Sequence, residues 1–208
     1  MEITTVVDES PPAPSATVVL LRDVEDDLEV FLLRRHGRSQ VLGGAYVFPG
    51  GKTDPEDGDW VARLDRPADR LHALLGEPDL SVAAAAALFV TAIRELFEET
   101  GLLLADASPE AARAHWAAVR SGRAFDELRA AGLSLAAGAL HPWSRWITPT
   151  LGSVGRKRFD TRFFLAAVPP GHHATHDEHE ATESIWLTPR AALRRYWDGG
   201  SSWPRRRS

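Results

Sequence analysis

The sequence predicts a mixed α/β fold, with helices layered on a sheet that is not doubly wound. Three observations carry the prediction. β-rich runs stand towards both ends of the chain, helical periodicity fills the middle, and Pro, Gly and acidic residues mark the joints. At 208 residues, 44% hydrophobic and 25% charged, and with no internal repeat, the chain suits one globular domain.

Residues 1–15 contain Pro11-Pro12-Ala13-Pro14 and read as a flexible arm. Ala16–Arg22 and Leu28–Arg35 read as strands, and the acidic turn Asp23–Asp27 between them predicts a hairpin. A short strand, Ala45–Phe48, runs into Pro49-Gly50-Gly51. The polar stretch 52–80 holds Pro55, Pro67 and Pro78, with a short helix expected at Asp69–Leu75. Ser81 is placed to cap a long helix, Val82–Thr100, which Gly101 stops. Pro109–Ser121 and Phe125–Ala131 read as two further helices. The β signal returns at Leu140–Ile147, Arg158–Val168 and Ser184–Leu187, and Pro189–Trp197 closes as a helix with Pro in its first turn. A single domain over 16–198 is expected, with an insertion at 58–80, extra helices at 109–131 and a tail at 199–208.

Composition narrows the function. A net charge of −5 offers no general field for nucleic acid. The absence of cysteine excludes disulfides, thiol nucleophiles and thiolate metal sites. No apolar run reaches the ~18 residues of a membrane span, and the first ten residues lack the pattern of a secretory signal. A cytoplasmic location is the expectation. Pro204-Arg205-Arg206-Arg207-Ser208 reads as a solvated basic tail.

The chemistry concentrates in Arg94-Glu95-Leu96-Phe97-Glu98-Glu99-Thr100-Gly101-Leu102, with Phe48-Pro49-Gly50-Gly51 upstream. On a helix, Glu95, Glu98 and Glu99 fall within an arc of roughly 100°. Phe89, Ile93, Leu96 and Phe97 take the opposite side. Like charges at these spacings repel, and a divalent cation converts that repulsion into coordination.

These residues resemble the Nudix hydrolase signature, Gly-x5-Glu-x7-Arg-Glu-aliphatic-x-Glu-Glu-x-Gly-aliphatic, which matches at every defined position from Arg94 to Leu102. The first half departs from it. Six residues on from Gly51 stands Asp57 rather than Glu, and 36 residues, 58–93, occupy a gap of seven. Asp54, Glu56 and Asp57 are all candidates for the missing Glu, whose family role is to brace the motif arginine. The resemblance implies a Nudix α/β/α sandwich with a helical insertion. It also implies Mg²⁺ or Mn²⁺ on Glu95, Glu98 and Glu99, with Arg94 orienting a ligating carboxylate and Gly50 and Gly51 admitting close backbone approach.

The insertion, Trp146-Ile147-Thr148-Pro149 and Arg158–Phe164 are similar to the branch that contains the peroxisomal coenzyme A diphosphatase of animals. Leu32-Leu33-Arg34-Arg35-His36 and the run to Gly51 resemble a degraded coenzyme A signature. The implied substrate is a nucleoside diphosphate linked to another moiety, coenzyme A or its thioesters first. ADP-ribose, NADH and dinucleoside polyphosphates are the alternatives, and a non-catalytic nucleotide-sensing module is the reading from another class. Arg34, Arg35, Arg158 and Trp146 are the substrate-binding candidates, with Arg156, Lys157, Arg162 and Trp143 behind them. The family often draws a further Glu from a loop before a late strand, and Glu180 fits that placement. The His-rich run Gly171–Glu180 reads as loop polarity rather than a transition-metal site. The inserted helices are expected to form a lid or a homodimer surface.

Overall fold

A computed structural model of the chain describes residues 11–37, 44–120, 125–149, 158–177 and 181–197. Among these, seven strands form one mixed sheet. β1 (Ala13–Val24) and β2 (Asp27–Arg35) make the expected hairpin, closed at Val24↔Asp27 with Glu25 at φ 42. β3 (Tyr46–Val47) pairs with β2, and β4 (Gly50–Lys52) pairs with β1. Among the later strands, β5 (His141–Ile147) lies antiparallel to β6 (Phe159–Ala167), and β6 runs parallel to β1. β7 (Ala181–Leu187) pairs antiparallel with the far side of β2. One parallel pair among antiparallel ones is the mixed sheet that the order of elements predicts.

The helices are α1 (Ala68–Leu75), α2 (Val82–Thr100), α3 (Pro109–Arg120), α4 (Asp126–Ala130) and α5 (Pro189–Trp197). α2 ends where its sequence signals place it. Ser81 Oγ accepts from the Ala84 amide at 3.2 Å, and Gly101 takes φ 72 while its amide bonds the Phe97 carbonyl. No helix among the described residues is long and apolar enough to cross a membrane.

Alternation along the strands builds a core on each side of the sheet. Ala16, Val18 and Leu20 of β1, Phe31 and Leu33 of β2, and Phe164 and Ala166 of β6 face α2. Val19, Val30, Leu32, Phe163 and Leu165 face the other way, towards Ala192 of α5. This is the α/β/α sandwich.

Three expectations need correction. β1 begins at Ala13, inside the expected flexible arm, because Ala13–Leu21 pairs in parallel with β6 and the Pro14 carbonyl accepts from Thr53. Pro14 is tolerated here because it stands at the start of the strand, where its missing N–H costs little and its carbonyl still accepts. The strand expected at Ala45–Phe48 is only Tyr46–Val47, and a second short strand, Gly50–Lys52, follows it. β1 and β2 splay apart beyond their hairpin, and the chain crosses between them at Phe48-Pro49, so that Gly50 and Gly51 pair with Thr17 and Ala16. Finally, the polar insertion opens with a 3₁₀ helix, Pro55–Arg63, started by Pro55 and capped by Asp54.

That insertion also explains why α2 is buried nearly all round from Ala85 to Arg94. The sheet covers one side of it, and the 3₁₀ helix and α1 cover the other. The Ala-rich first half therefore serves close approach from two directions, and only the last two turns present a polar face.

Candidate active site

Arg94 is the hub of the site, 8% exposed, at the point where α2 passes beneath β4. Its Nε donates to Asp57 Oδ1 at 2.8 Å and its NH2 to Asp57 Oδ2 at 3.2 Å, a two-pronged pair. NH2 also donates to the Lys52 carbonyl at 2.9 Å. NH1 alone turns to the carboxylate face, reaching Glu95 Oε1 at 2.9 Å and Glu98 Oε2 at 3.1 Å. Burial works against the guanidinium's charge, but Asp57, Glu95 and Glu98 together raise its pKa above the ordinary arginine value.

This geometry decides among the three candidates for the missing first Glu. Asp57, 1% exposed, holds the arginine through both oxygens. Asp54 is half exposed and stands 3.5 Å from NH2. Glu56 is exposed to solvent. The 36-residue gap costs nothing in geometry, because the 3₁₀ helix brings Asp57 back against α2 before the rest of the insertion departs. Asp57 Oδ2 also accepts from the Asp54 amide at 3.0 Å, and Thr91 Oγ1 stands 2.7 Å from it.

The glycines lie where the carboxylates need room. A methyl group on Gly51 would overlap the Glu95 carboxylate, and one on Gly50 would run into the Ala16 carbonyl. The Gly50 amide donates to Glu99 Oε2 at 3.1 Å. Glu95, Glu98 and Glu99 thus share one face of α2, in contact with Arg94 and β4. Their hard, anionic oxygens on a rigid helix fit a hard divalent cation. As they stand they are turned to Arg94 and the Gly50 amide, and among the described residues no three His, Asp or Glu side chains converge as a ready-made ion site.

The His-rich run has a role that its sequence does not announce. Thr175 and Asp177 donate their amides to the Thr100 and Glu99 carbonyls, covering the end of α2. Ala181 closes that segment through the Asp177 carbonyl. Glu180, together with Glu178, lies outside the described residues, but the chain on its near side is fastened to Glu99. Arg156 and Lys157 also lie outside them.

The other basic and aromatic candidates separate by face. Arg35 shares the α2 side of β2 with Phe31 and Leu33, and its Nε is buried with no hydrogen-bond partner. Arg34 is on the α5 side, 3.5 Å from Glu183 and beside the Tyr46 ring. Trp146 pairs with Thr161 and projects to that same side, 63% exposed. Trp143, also 63% exposed, stands at the irregularity in β5. Arg158 donates to the Thr148 carbonyl where β6 begins.

Arg162 is not available to a substrate. It holds Glu77 through Nε at 2.9 Å and NH2 at 2.6 Å, and Asp160 through NH1 at 2.8 Å. Arg145 completes the network with two 2.7 Å bonds to Asp160 and one 3.0 Å contact to Glu77.

Comparison with known proteins agrees with this architecture. The family profile of the NUDT19 Nudix domain matches residues 4–203. The chain is 29% identical to the acyl-coenzyme A diphosphatase NUDT19 of Xenopus laevis, over 82% of this chain and 55% of that protein. It is also 29% identical to the Gallus gallus protein of the same name, over 82% and 56%. The chain therefore spans about half the length of the curated relatives it matches. A crystal structure of a NUDIX hydrolase from Alicyclobacillus acidocaldarius superposes with a TM-score of 0.71 at 30% identity, covering 93% of this chain and 86% of that one. With its signature helix, glycines and braced arginine in one place, the chain belongs to the Nudix hydrolase family, in the branch of the NUDT19 Nudix domain.

Proposed function

We propose that this domain hydrolyses the diphosphate of a nucleoside diphosphate linked to another moiety, with coenzyme A or an acyl-coenzyme A as substrate. Water attacks one phosphorus and the bridging P–O bond breaks, giving 3′,5′-ADP and phosphopantetheine or its acyl form. The observation that carries the reading is the Asp57–Arg94 pair beneath Glu95 and Glu98, set against Gly50-Gly51. The named function of the relatives supports the choice of substrate.

Glu95, Glu98 and Glu99 would hold a divalent cation, Mg²⁺ or Mn²⁺, which when bound supplies charge neutralisation at the diphosphate and a more acidic water. Arg94 positions Glu95 and Glu98 through NH1, while Asp57 and the Lys52 carbonyl hold the rest of its fork. Gly51 keeps the space beside Glu95 clear of a side chain. Glu180 is the proposed acceptor of the water's proton, since Asp177, three residues before it, is bonded to the Glu99 carbonyl at the end of α2. Arg35, with its buried and unsatisfied Nε, is the proposed contact for a substrate phosphate, and Arg158 is a second. Arg34 and Trp146 lie on the opposite side of the sheet and are left outside the proposed site.

The test is hydrolysis of a panel holding coenzyme A, acyl-coenzyme A, ADP-ribose, NADH and dinucleoside polyphosphates, with Mg²⁺ or Mn²⁺ and mass analysis of the products. Release of 3′,5′-ADP from coenzyme A is the expected result. Turnover of another member alone would move the substrate assignment. Tight nucleotide binding with no turnover would replace the enzyme with a sensor.

A further inference from the structure

We propose that Thr91, outside every defined position of the signature, is a positioning residue that keeps the Nε–NH2 edge of Arg94 on Asp57 and off Glu95 and Glu98. The inference rests on the divalent-cation reading of those glutamates given above. Thr91 is fully buried one turn before Arg94, so α2 presents a hydroxyl and a guanidinium to the same carboxylate. Its Oγ1 is 2.7 Å from Asp57 Oδ2, closer than Ala87 O at 2.9 Å or Thr53 Oγ1 at 3.1 Å.

The need for it follows from the shorter side chain at position 57. An Asp has one fewer methylene than Glu with which to reach the arginine, so its carboxylate must be set at one place and one angle. Asp57 Oδ2 is fixed from three directions, by the Asp54 amide, the Thr91 hydroxyl and Arg94 NH2, while Oδ1 takes Arg94 Nε. This arrangement occupies Nε and NH2 and leaves NH1 as the nitrogen facing Glu95 and Glu98. If Asp57 swings, the freed fork turns to the nearest remaining carboxylates, which are the proposed cation ligands. Arginine and cation then compete for the same oxygens, and cation affinity falls.

Thr91→Val keeps the shape and removes the hydroxyl, whereas Thr91→Ser keeps the hydroxyl. The probe is Mn²⁺ alone, titrated by electron paramagnetic resonance into the full chain without substrate, with melting temperature and steady-state kinetics measured alongside. The expected result is a Kd for Mn²⁺ raised roughly tenfold in Thr91→Val, the scale of losing an outer-shell partner. With it come a lower kcat, a KM for coenzyme A within twofold of wild type, and a Thr91→Ser protein restored to near wild type. If Thr91→Val fails to fold, Thr91→Ala, smaller and a better helix former, takes its place in the same titration. Wild-type Mn²⁺ affinity in the folded hydroxyl-less variant overturns the proposal, as does a Thr91→Ser protein no better than it. Failure of the wild type itself to bind Mn²⁺ would instead remove the cation reading on which the proposal stands.

Discussion

Gly51 shows how far a single atom can matter at this site. Its Cα lies so close to Glu95 that a methyl group would occupy the carboxylate's place. Gly51→Ala is therefore expected to fold, because the residue is only half-buried, the group it would displace is the end of a flexible side chain, and its backbone requires no unusual φ. Glu95 must swing away, losing its 2.9 Å bond to Arg94. A displacement of about 1 Å in a positioned group costs roughly 10² in rate, so kcat against the best panel substrate should fall by about that factor with little change in melting temperature. Equal turnover in the variant would show that Glu95 works from another position. The residue scale was also where the sequence was most and least legible. Arg94 to Leu102 could be read directly, since spacing along one helix is local information. The partner of Arg94 could not be read beyond three candidates, because the choice among Asp54, Glu56 and Asp57 depends on how a 3₁₀ turn folds back on a helix 34 residues further along in the case of Asp57 and Thr91.

At the scale of elements, α2 was the easiest to place and its surroundings the hardest. Ser81 and Gly101 mark its ends in sequence, and both act as caps in the structure. What closes its C-terminal turn comes from far along the chain. Trp116 of α3 lies over Gly101 and donates its Nε1–H to the Glu98 carbonyl at 3.1 Å, while Thr175 and Asp177 satisfy Thr100 and Glu99. The His-rich run reads as loop polarity in sequence because backbone donation leaves no side-chain pattern to recognise. Gly101→Ala tests this closure. The left-handed φ of 72 costs a non-glycine residue about 1–2 kcal/mol, and the added methyl group would also meet the Trp116 ring. In a chain of this size the backbone term alone lowers Tm by roughly 2–8 °C. Thermal unfolding followed by circular dichroism measures it, and an unchanged Tm would mean that the last turn of α2 is not held in this way.

Across the whole molecule, the insertion is fastened to the sheet by a charge network that no local pattern could announce. Glu77 follows α1, whereas Arg145, Asp160 and Arg162 belong to β5 and β6, and the Glu77–Arg162 contact spans 85 positions. Arg162 is 4% exposed, so its buried charge needs the compensating carboxylates of Glu77 and Asp160 beside it. Burial pushes the Asp160 carboxyl up, but the Arg145 hydrogen bonds and the charges of Arg162 and Arg145 outweigh it and hold the pKa below the ordinary carboxylate value. A carboxyl whose folded pKa is depressed stabilises the fold fully above its unfolded pKa of about 3.9. That contribution disappears as pH falls from there through the folded value. Urea unfolding midpoints measured from pH 6 down to pH 3 should therefore drop more steeply, below about pH 4, in the wild type than in Asp160→Asn. The variant begins less stable, because two arginines are left with one carboxylate, but it has no proton to take up at this position. Parallel curves for the two proteins would show that the acid sensitivity of the fold lies elsewhere. A steeper wild-type curve would identify the junction of Glu77 with β5 and β6 as one source of the fold's acid sensitivity.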